Sequence, residues 1–300
     1  MAGFKNLFKR QQLTHLFEAR RTNTCSPIFK ECGVCSKYVY MDPKCKIALV
    51  TGGTTGIGFA TAQELLCNDL YRVVLTDMDT CKGKEAVEKL NSQHGEHKAC
   101  FMQLDTYKEK HFCDVIQKVI KLFGNLDILI NNPGIPRKKT WEEEVNSKVM
   151  STIRGTMMGT ELMSKQKLRR GGVIINLASA LAFENFPGAP IYVSSNNGVI
   201  GFSKAWGATQ NYLISSVRVV SMCPGITEGL IIENTAAPED KEAQASLSQL
   251  PAQKASSVGR GIVYLVQHAP SGTVWFVDGG VLYRGRIPHR LDYSEKIRYV

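Results

Sequence analysis

Apolar runs and amphipathic stretches alternate along this chain from residue 45 to about residue 280. The apolar runs at 47–51, 72–77, 99–104, 127–131, 172–178, 217–222 and 273–277 are too short for helices and predict strands, the last of them closing the series. Between them, apolar residues recur at three- and four-residue spacing. That spacing predicts helices near 57–69, 82–92, 107–122 and 141–168, and another beginning after Tyr192. Strands that are apolar throughout and separated by helices predict a parallel sheet covered on both faces, an α/β architecture. Ligands in such sheets bind beyond the carboxyl ends of the strands. Thr51, Asp77, Asp105, Asn131, Ser179 and Pro224 fall there. The polar stretch 234–258 lacks a strand pattern and reads as a lid over that edge.

The first strand runs into a glycine turn. Ile47-Ala48-Leu49-Val50-Thr51 is followed by Gly52, Gly56 and Gly58, and then by a helical stretch with Ala60, Ala62, Leu65 and Leu66 as its apolar positions. A strand feeding a glycine turn at a helix N-terminus offers unpaired N–H groups and a positive dipole end to a phosphate. The second strand ends in Asp77, 77 − 58 = 19 residues past Gly58. A carboxylate near that spacing meets the adenosine ribose hydroxyls and repels a 2′-phosphate, so the pattern points to NAD rather than NADP.

Composition narrows the class. Charged residues make up 21 % of the 300, and no apolar run approaches the ~20 residues of a membrane span. The net charge of +10 suggests nucleic acid, but residues 1–46 carry nine Lys/Arg against three acids, so +6 of it sits in an N-terminal extension. The remainder is mildly basic and carries no nucleic-acid motif. Nine cysteines, scattered and odd in number, fit a reducing compartment better than a disulfide framework. Cys25, Cys32, Cys35 and Cys45 supply one Cys-x-x-Cys half-site without a second half or a nearby histidine, which argues for free thiols over zinc. Residues 1–24 are basic, contain Glu18 as their one acid and have helical apolar spacing. This fits a mitochondrial transit peptide or a surface arm on a cytoplasmic protein.

These motifs together resemble the short-chain dehydrogenase/reductase family from about Lys44 to Tyr283. The Thr-Gly-x-x-x-Gly-x-Gly turn is Thr51–Gly58, with Thr54 and Ile57 among its variable positions. The acid of the adenine pocket is Asp105 beside Thr106, and Asn131-Asn132-Pro133-Gly134 stands for Asn-Asn-Ala-Gly. Ser179 and Tyr192 are 192 − 179 = 13 residues apart, as in the family; Pro224-Gly225-Ile226-Thr227 follows the sixth strand, and Val277-Asp278-Gly279-Gly280 the last. Met163-Ser164-Lys165-Gln166, Gly171-Gly172-Val173-Ile174-Ile175-Asn176 and Cys223-Pro224-Gly225 most resemble the 15-hydroxyprostaglandin dehydrogenase-like branch, which includes insect alcohol dehydrogenases. The resemblance implies one Rossmann-type doubly wound sheet over residues 45–283, followed by a tail at 284–300. It also implies NAD as cofactor and a secondary alcohol, small or lipid, as substrate. Family members pair through helices here near 148–164 and 192–208, which implies a homodimer or homotetramer. Residues 52, 54, 56–58, 77, 105, 106, 131, 134 and 224–227 would hold the cofactor.

In that family a tyrosinate takes the hydroxyl proton and a serine hydroxyl steadies the forming carbonyl. A Lys four residues after the Tyr lowers its pKa and grips the nicotinamide ribose, and a helix Asn holds a water beside that Lys. This chain departs from the pattern. Asn196 stands four residues after Tyr192, and ungapped counting from Asn131 through Trp141 puts Lys148 at the helix Asn position. The tetrad therefore reads Lys148, Ser179, Tyr192, Asn196. In one reading catalysis is lost and the chain is a dinucleotide-binding partner or regulatory subunit. In a second the exchange is compensatory: Lys148 supplies the cation and Asn196 holds ribose or water. In a third the alignment slips and Asn146 is the Asn, although two residues turn a helix by ~200°. Lys204 lies over two turns beyond Asn196. Pro133 removes a backbone donor, and Gly229 stands where the family has a Thr for the carboxamide.

Overall fold

The computed structural model describes residues 39–133, 140–228 and 251–287. Its strands are β1 (Ile47–Thr51), β2 (Arg72–Asp77), β3 (Ala99–Gln103), β4 (Ile128–Asn131), β5 (Gly172–Leu177), β6 (Val217–Pro224), β7 (Val274–Asp278) and β8 (Val281–Arg284). They form one sheet in the order β3-β2-β1-β4-β5-β6-β7-β8. The first seven are parallel, and β8 runs antiparallel to β7. The strand order reverses between β1 and β4, the crevice at which doubly wound sheets bind ligands. The helices are α1 (Gly56–Cys67), α2 (Thr80–His94), α3 (Glu109–Phe123), α4 (Trp141–Val145), α5 (Ser151–Met163), α6 (Pro190–Trp206), α7 (Thr209–Ser215) and α8 (Ala255–His268). A π-helical turn, Asn146–Met150, joins α4 to α5.

Continuous apolar runs form the strands because both faces of the sheet are covered. Ala48, Val50, Val73, Leu75, Ile128 and Ile130 pack on the α1/α8 side. Ile47, Leu49, Val74 and Leu129 alternate with them and pack on the α3/α5 side. Among the described residues no helix is long and apolar enough to cross a membrane.

The alternation of elements is as the sequence predicts, with differences in detail, among them the helix expected near 141–168, which the π-helical turn divides and which ends at Met163. Helix α6 starts at Pro190 rather than after Tyr192, since a proline fits the first helical turn where its missing N–H has no partner to lose. Tyr192 therefore lies inside the first turn of α6, with Asn196 one turn on. Helices α7 and α8 and strand β8 were not predicted. The Gly279-Gly280 pair, with φ of +55° and +82°, turns the chain back after β7 and makes β8 a hairpin partner. The expected lid at 234–258 lies outside the described residues up to 250. Beyond that Gln253 bridges to Thr227 and Ala255–Val258 open α8, so this part is fixed rather than lid-like. Residues 1–38 lie outside the described set. Cys45, Cys81, Cys100, Cys113 and Cys223 are free thiols, and Cys67 is disulfide-bonded.

Candidate active site

The cradle beyond β1 is built from internally satisfied groups. Thr51 Oγ1 donates to Ile130 O at 3.3 Å and accepts from Asn132 N at 2.9 Å, and Asn132 Nδ2 donates to Gly52 O at 3.0 Å. Gly52 has φ +54°, and a Cβ on Gly58 would overlap the Gly52 carbonyl oxygen, so both positions require glycine. At the N-terminus of α1, Thr55 is extended and its side chain makes no capping bond, and the first turn holds no acid. The first-turn N–H groups thus have no side-chain cap and suit an anionic group. Ile57 and Gly58 are buried beneath this turn while Gly56 is partly open. At the end of β2, Asp77 accepts from Thr54 Oγ1 at 2.6 Å and from Met78 N at 2.8 Å, which fixes the carboxylate beside the turn. Asp105 accepts from Tyr107 N at 3.0 Å and pairs with Lys108 at 3.5 Å, with the half-buried Thr106 next to it. The glycine cradle, the uncapped helix end and the anchored Asp77 fit the pyrophosphate and ribose of a nicotinamide dinucleotide.

The second half of the site surrounds a phenol. Tyr192 is buried, and burial raises its pKa above the ordinary tyrosine value; the Ser179 hydroxyl and Asn196 amide beside it offset only part of that rise. Ser179 is at the end of β5, where its Oγ accepts from Leu181 N at 3.3 Å. Asn196 is fully buried; its Nδ2 donates to Tyr192 O at 2.8 Å, while its Oδ1 has no partner. Lys148, in the middle of the π-helical turn, is 8 % exposed. Burial lowers its pKa to about 8, against the opposing pull of Cys223 and Glu144. Cys223, buried at the end of β6, has its thiol pushed up by burial, with Lys148 opposing. Glu144, half-buried on α4, is raised by burial and drawn down by Lys148. Val149 packs beside Gly198 of α6, so the π-helical turn and α6 are direct neighbours.

A buried amide network underlies both halves. Asn131 Nδ2 donates to Asn176 Oδ1 at 2.8 Å, Thr156 Oγ1 donates to the same oxygen at 3.1 Å, and Asn176 Nδ2 donates to Ser203 Oγ at 2.8 Å. These bonds lock β4, β5, α5 and α6 together. Pro224, the last residue of β6, and Gly225 and Ile226 beyond it are buried, and Thr227 Oγ1 donates to Gly225 O at 3.0 Å, so that hydroxyl is turned onto its own loop. Gln253 holds the loop by donating to Val277 O at 2.8 Å and accepting from Gly280 N at 2.9 Å.

Residues 46–240 match the family model of short chain dehydrogenases. This chain belongs to the short-chain dehydrogenase family. Among its relatives, the 15-hydroxyprostaglandin dehydrogenase [NAD(+)] of Mus musculus is 37 % identical over 189 residues, 63 % of this chain and 70 % of that protein. The Homo sapiens protein of the same name is 36 % identical over 189 residues, 63 % and 71 %. Alcohol dehydrogenase 1 of Ceratitis cosyra is 28 % identical over 242 residues, 79 % and 93 %.

For a short-chain dehydrogenase, two neighbourhoods contain the sequence-derived residues. Gly52, Thr54, Gly56, Ile57, Gly58 and Asp77 share the cradle; Ser179 and Asn196 lie beside the Tyr192 phenol, and Lys148 is buried on the π-helical turn that neighbours α6, whereas Gly134 and Gly229 lie outside the described residues. Asn146 Oδ1 accepts from Arg154 Nη1 at 3.0 Å and is held by α5 rather than turned to the phenol, which counts against the slipped alignment. Glu144, Cys223 and Gln253 were not singled out from the sequence for a role in the site. Glu144 at four residues before Lys148 was the one legible signal, as an i, i+4 acid–base pair. Among the described residues no group of three or more His, Cys, Asp or Glu converges to hold a metal.

Proposed function

We propose that this short-chain dehydrogenase moves hydride between a secondary alcohol, a hydroxy-lipid or a smaller alcohol, and the nicotinamide of NAD. The observation that carries the reading is the buried Tyr192 phenol with the Ser179 hydroxyl and the Asn196 amide beside it, and the buried Lys148 on the π-helical turn that neighbours the same helix. NAD, when bound, supplies the hydride acceptor. Tyr192 takes the hydroxyl proton, and Ser179 donates to the oxygen that becomes the carbonyl. Lys148 provides the positive charge that favours the phenolate. Asn196, through its unpartnered Oδ1, holds a ribose hydroxyl or a water. Gly52, Thr54, Gly56, Ile57, Gly58, Asp77, Asp105, Thr106, Asn131, Gly134 and residues 224–227 hold the cofactor, with Asp77 setting the preference for NAD. The catalytic domain spans residues 45–283, between an extension at 1–44 and a tail at 284–300, in the cytoplasm or, if the basic extension is an address, in mitochondria. Pairing into a homodimer or homotetramer through 148–164 and 192–208 is supported by Met150 and Met157, exposed beside a trough of about 620 Å³ along α5.

One observation favours a second reading, a cofactor-binding partner subunit without turnover: Asn196 rather than a lysine stands one turn after Tyr192, and burial pushes the phenol up. NAD-linked oxidation of secondary alcohols and hydroxy fatty acids across pH 6–10 decides, run beside the pair Lys148→Asn with Asn196→Lys. Wild-type turnover lost in Lys148→Ala supports the exchanged tetrad. NADH binding by a silent wild type, with turnover in the paired variant, sinks the dehydrogenase reading.

A further inference from the structure

The end of the sheet opposite the cofactor cradle carries a surface that neither half of the site uses. β2, β1, β4 and β5 are neighbours in the sheet, and the segments leading into them meet around a depression of about 460 Å³. Cys45 before β1, Tyr71 before β2, Phe123 at the end of α3 and Leu168, Arg169 and Arg170 before β5 line it. The Arg72 guanidinium lies over the Tyr71 and Phe123 rings, 5.5 and 4.9 Å from their centroids, and holds both in place. Asp127, the acid of this depression, is buried and accepts from Ile47 N at 3.0 Å and Asn125 Nδ2 at 2.7 Å, so its charge faces into the fold. Lys165 to Arg170 are six consecutive exposed residues, four of them cationic, and Leu168 stands among them with 97 % of its surface exposed. The loop is not slack. Ser164 Oγ accepts from Gln166 N at 3.1 Å, Ser164 O accepts from Lys167 N at 2.9 Å and Arg169 N at 3.3 Å, and Arg169 Nη1 donates to Gly124 O at 3.2 Å. Leu168 is thereby fixed at φ +58°, a left-handed conformation that suits glycine. Folding gains nothing from a leucine there, since it buries no surface and strains the backbone. Lys44 and Lys46 flank Cys45, and residues 1–38 add seven Lys/Arg against two acids, so the basic extension joins the domain at this same end.

We propose that this end of the domain docks on an anionic phospholipid surface, with Leu168 entering the headgroup–acyl boundary and Lys165, Lys167, Arg169 and Arg170 meeting lipid phosphates. Cations around an apolar tip match that boundary: each Lys or Arg near an anionic leaflet adds attraction, and the apolar side chain leaves water. Lys167 pairs with Glu161 at 3.6 Å, an exposed contact that a lipid phosphate can replace. Nucleic acid would meet the same cations but offers no apolar phase to an exposed leucine. Docked this way, the protein rests on the bilayer by the N-terminal ends of its strands. The cofactor cradle and Tyr192, at the carboxyl ends, face away from the lipid and stay open. The surface holds the protein at a membrane whichever reaction Tyr192 performs.

The test is co-sedimentation of the full chain with vesicles of phosphatidylcholine alone or with about 30 % phosphatidylserine, at about 0.1 M NaCl. Wild type is expected on the anionic vesicles and not on phosphatidylcholine, and to leave them at about 0.5 M NaCl. L168G is expected to weaken binding about fivefold with no fall in Tm, since glycine suits the backbone there. K165E combined with R170E is expected to weaken it about 30-fold. NADH affinity should be unchanged in both variants, because the cradle lies at the other end of the sheet. Wild type that ignores both vesicles overturns the proposal, and if it binds a single-stranded oligonucleotide instead, the surface is a nucleic-acid site. Anionic binding undiminished in K165E/R170E assigns the attraction to the basic extension and overturns it as well. So does L168G binding at wild-type strength, which leaves Leu168 outside the bilayer.

Discussion

The cofactor cradle and the phenol pocket sit at the same end of one sheet, yet they are built on opposite principles. In the cradle, Thr51, Asn132, Thr54 and Asp77 bond to one another and to the glycine turn, so its shape is held before anything binds. The phenol pocket keeps groups in unfavourable states: a buried amine, a raised phenol and an amide oxygen without a partner. Satisfied hydrogen bonds stabilise a fold, whereas buried unpaired polar groups cost about 1–3 kcal/mol each. The first region is built for binding, and the second retains a cost that folding alone does not explain.

Breaking the pocket without touching the cradle gives the largest expected effect. Tyr192→Phe removes the proton acceptor proposed above, and alcohol oxidation is expected to fall about 10³-fold while NADH affinity changes less than about twofold. Steady-state rates and NADH fluorescence titration check both, and equal losses in the two would erase the distinction between the regions. Gly58→Ala attacks the cradle instead. Its Cβ meets the Gly52 carbonyl oxygen, so NADH affinity is expected to drop about 100-fold and Tm to fall.

Lys148→Met sharpens the comparison because stability and rate should part company. The folded-state pKa of about 8 lies below the ordinary 10.5, so the unfolded chain binds the proton more tightly. Below pH 8 the buried ammonium costs about 3 kcal/mol. Wild-type stability therefore rises from pH 8 toward 10.5, and Lys148→Met should be more stable at pH 7 and lack that rise, while oxidation falls. Denaturant melts at pH 7 and pH 10 measure this, and a less stable variant at pH 7 would refute it. The smallest effect is expected from Asp77→Asn. Loss of the carboxylate should weaken NADH binding about tenfold and narrow discrimination against NADPH, as paired titrations would show.

The glycine turn, Asp77 and the Ser179–Tyr192 spacing were legible because each depends on local backbone requirements or fixed chain distance. Helix α7 was not, since Leu213 and Ile214 are exposed and leave no buried stripe to read. The polar reading of 234–258 hid the start of α8, whose small residue Gly259 instead allows close approach to Ala60 of α1. Thr227 was read as a cofactor contact from its place after Pro224-Gly225; that its hydroxyl donates to Gly225 O depends on how the loop folds and was not legible.

By itself the sequence determined the α/β alternation, the glycine turn after β1 and the presence of Lys at 148 and Asn at 196, because periodicity, glycine and residue type are properties of a short stretch. Only the tertiary structure decided that Lys148 is buried, that Asn196 Oδ1 lacks a partner and that Glu144 and Cys223 face the same amine. Burial and electrostatic neighbourhood are set by α4, the π-helical turn, α6 and β6 meeting in space, and no local stretch of chain encodes that meeting.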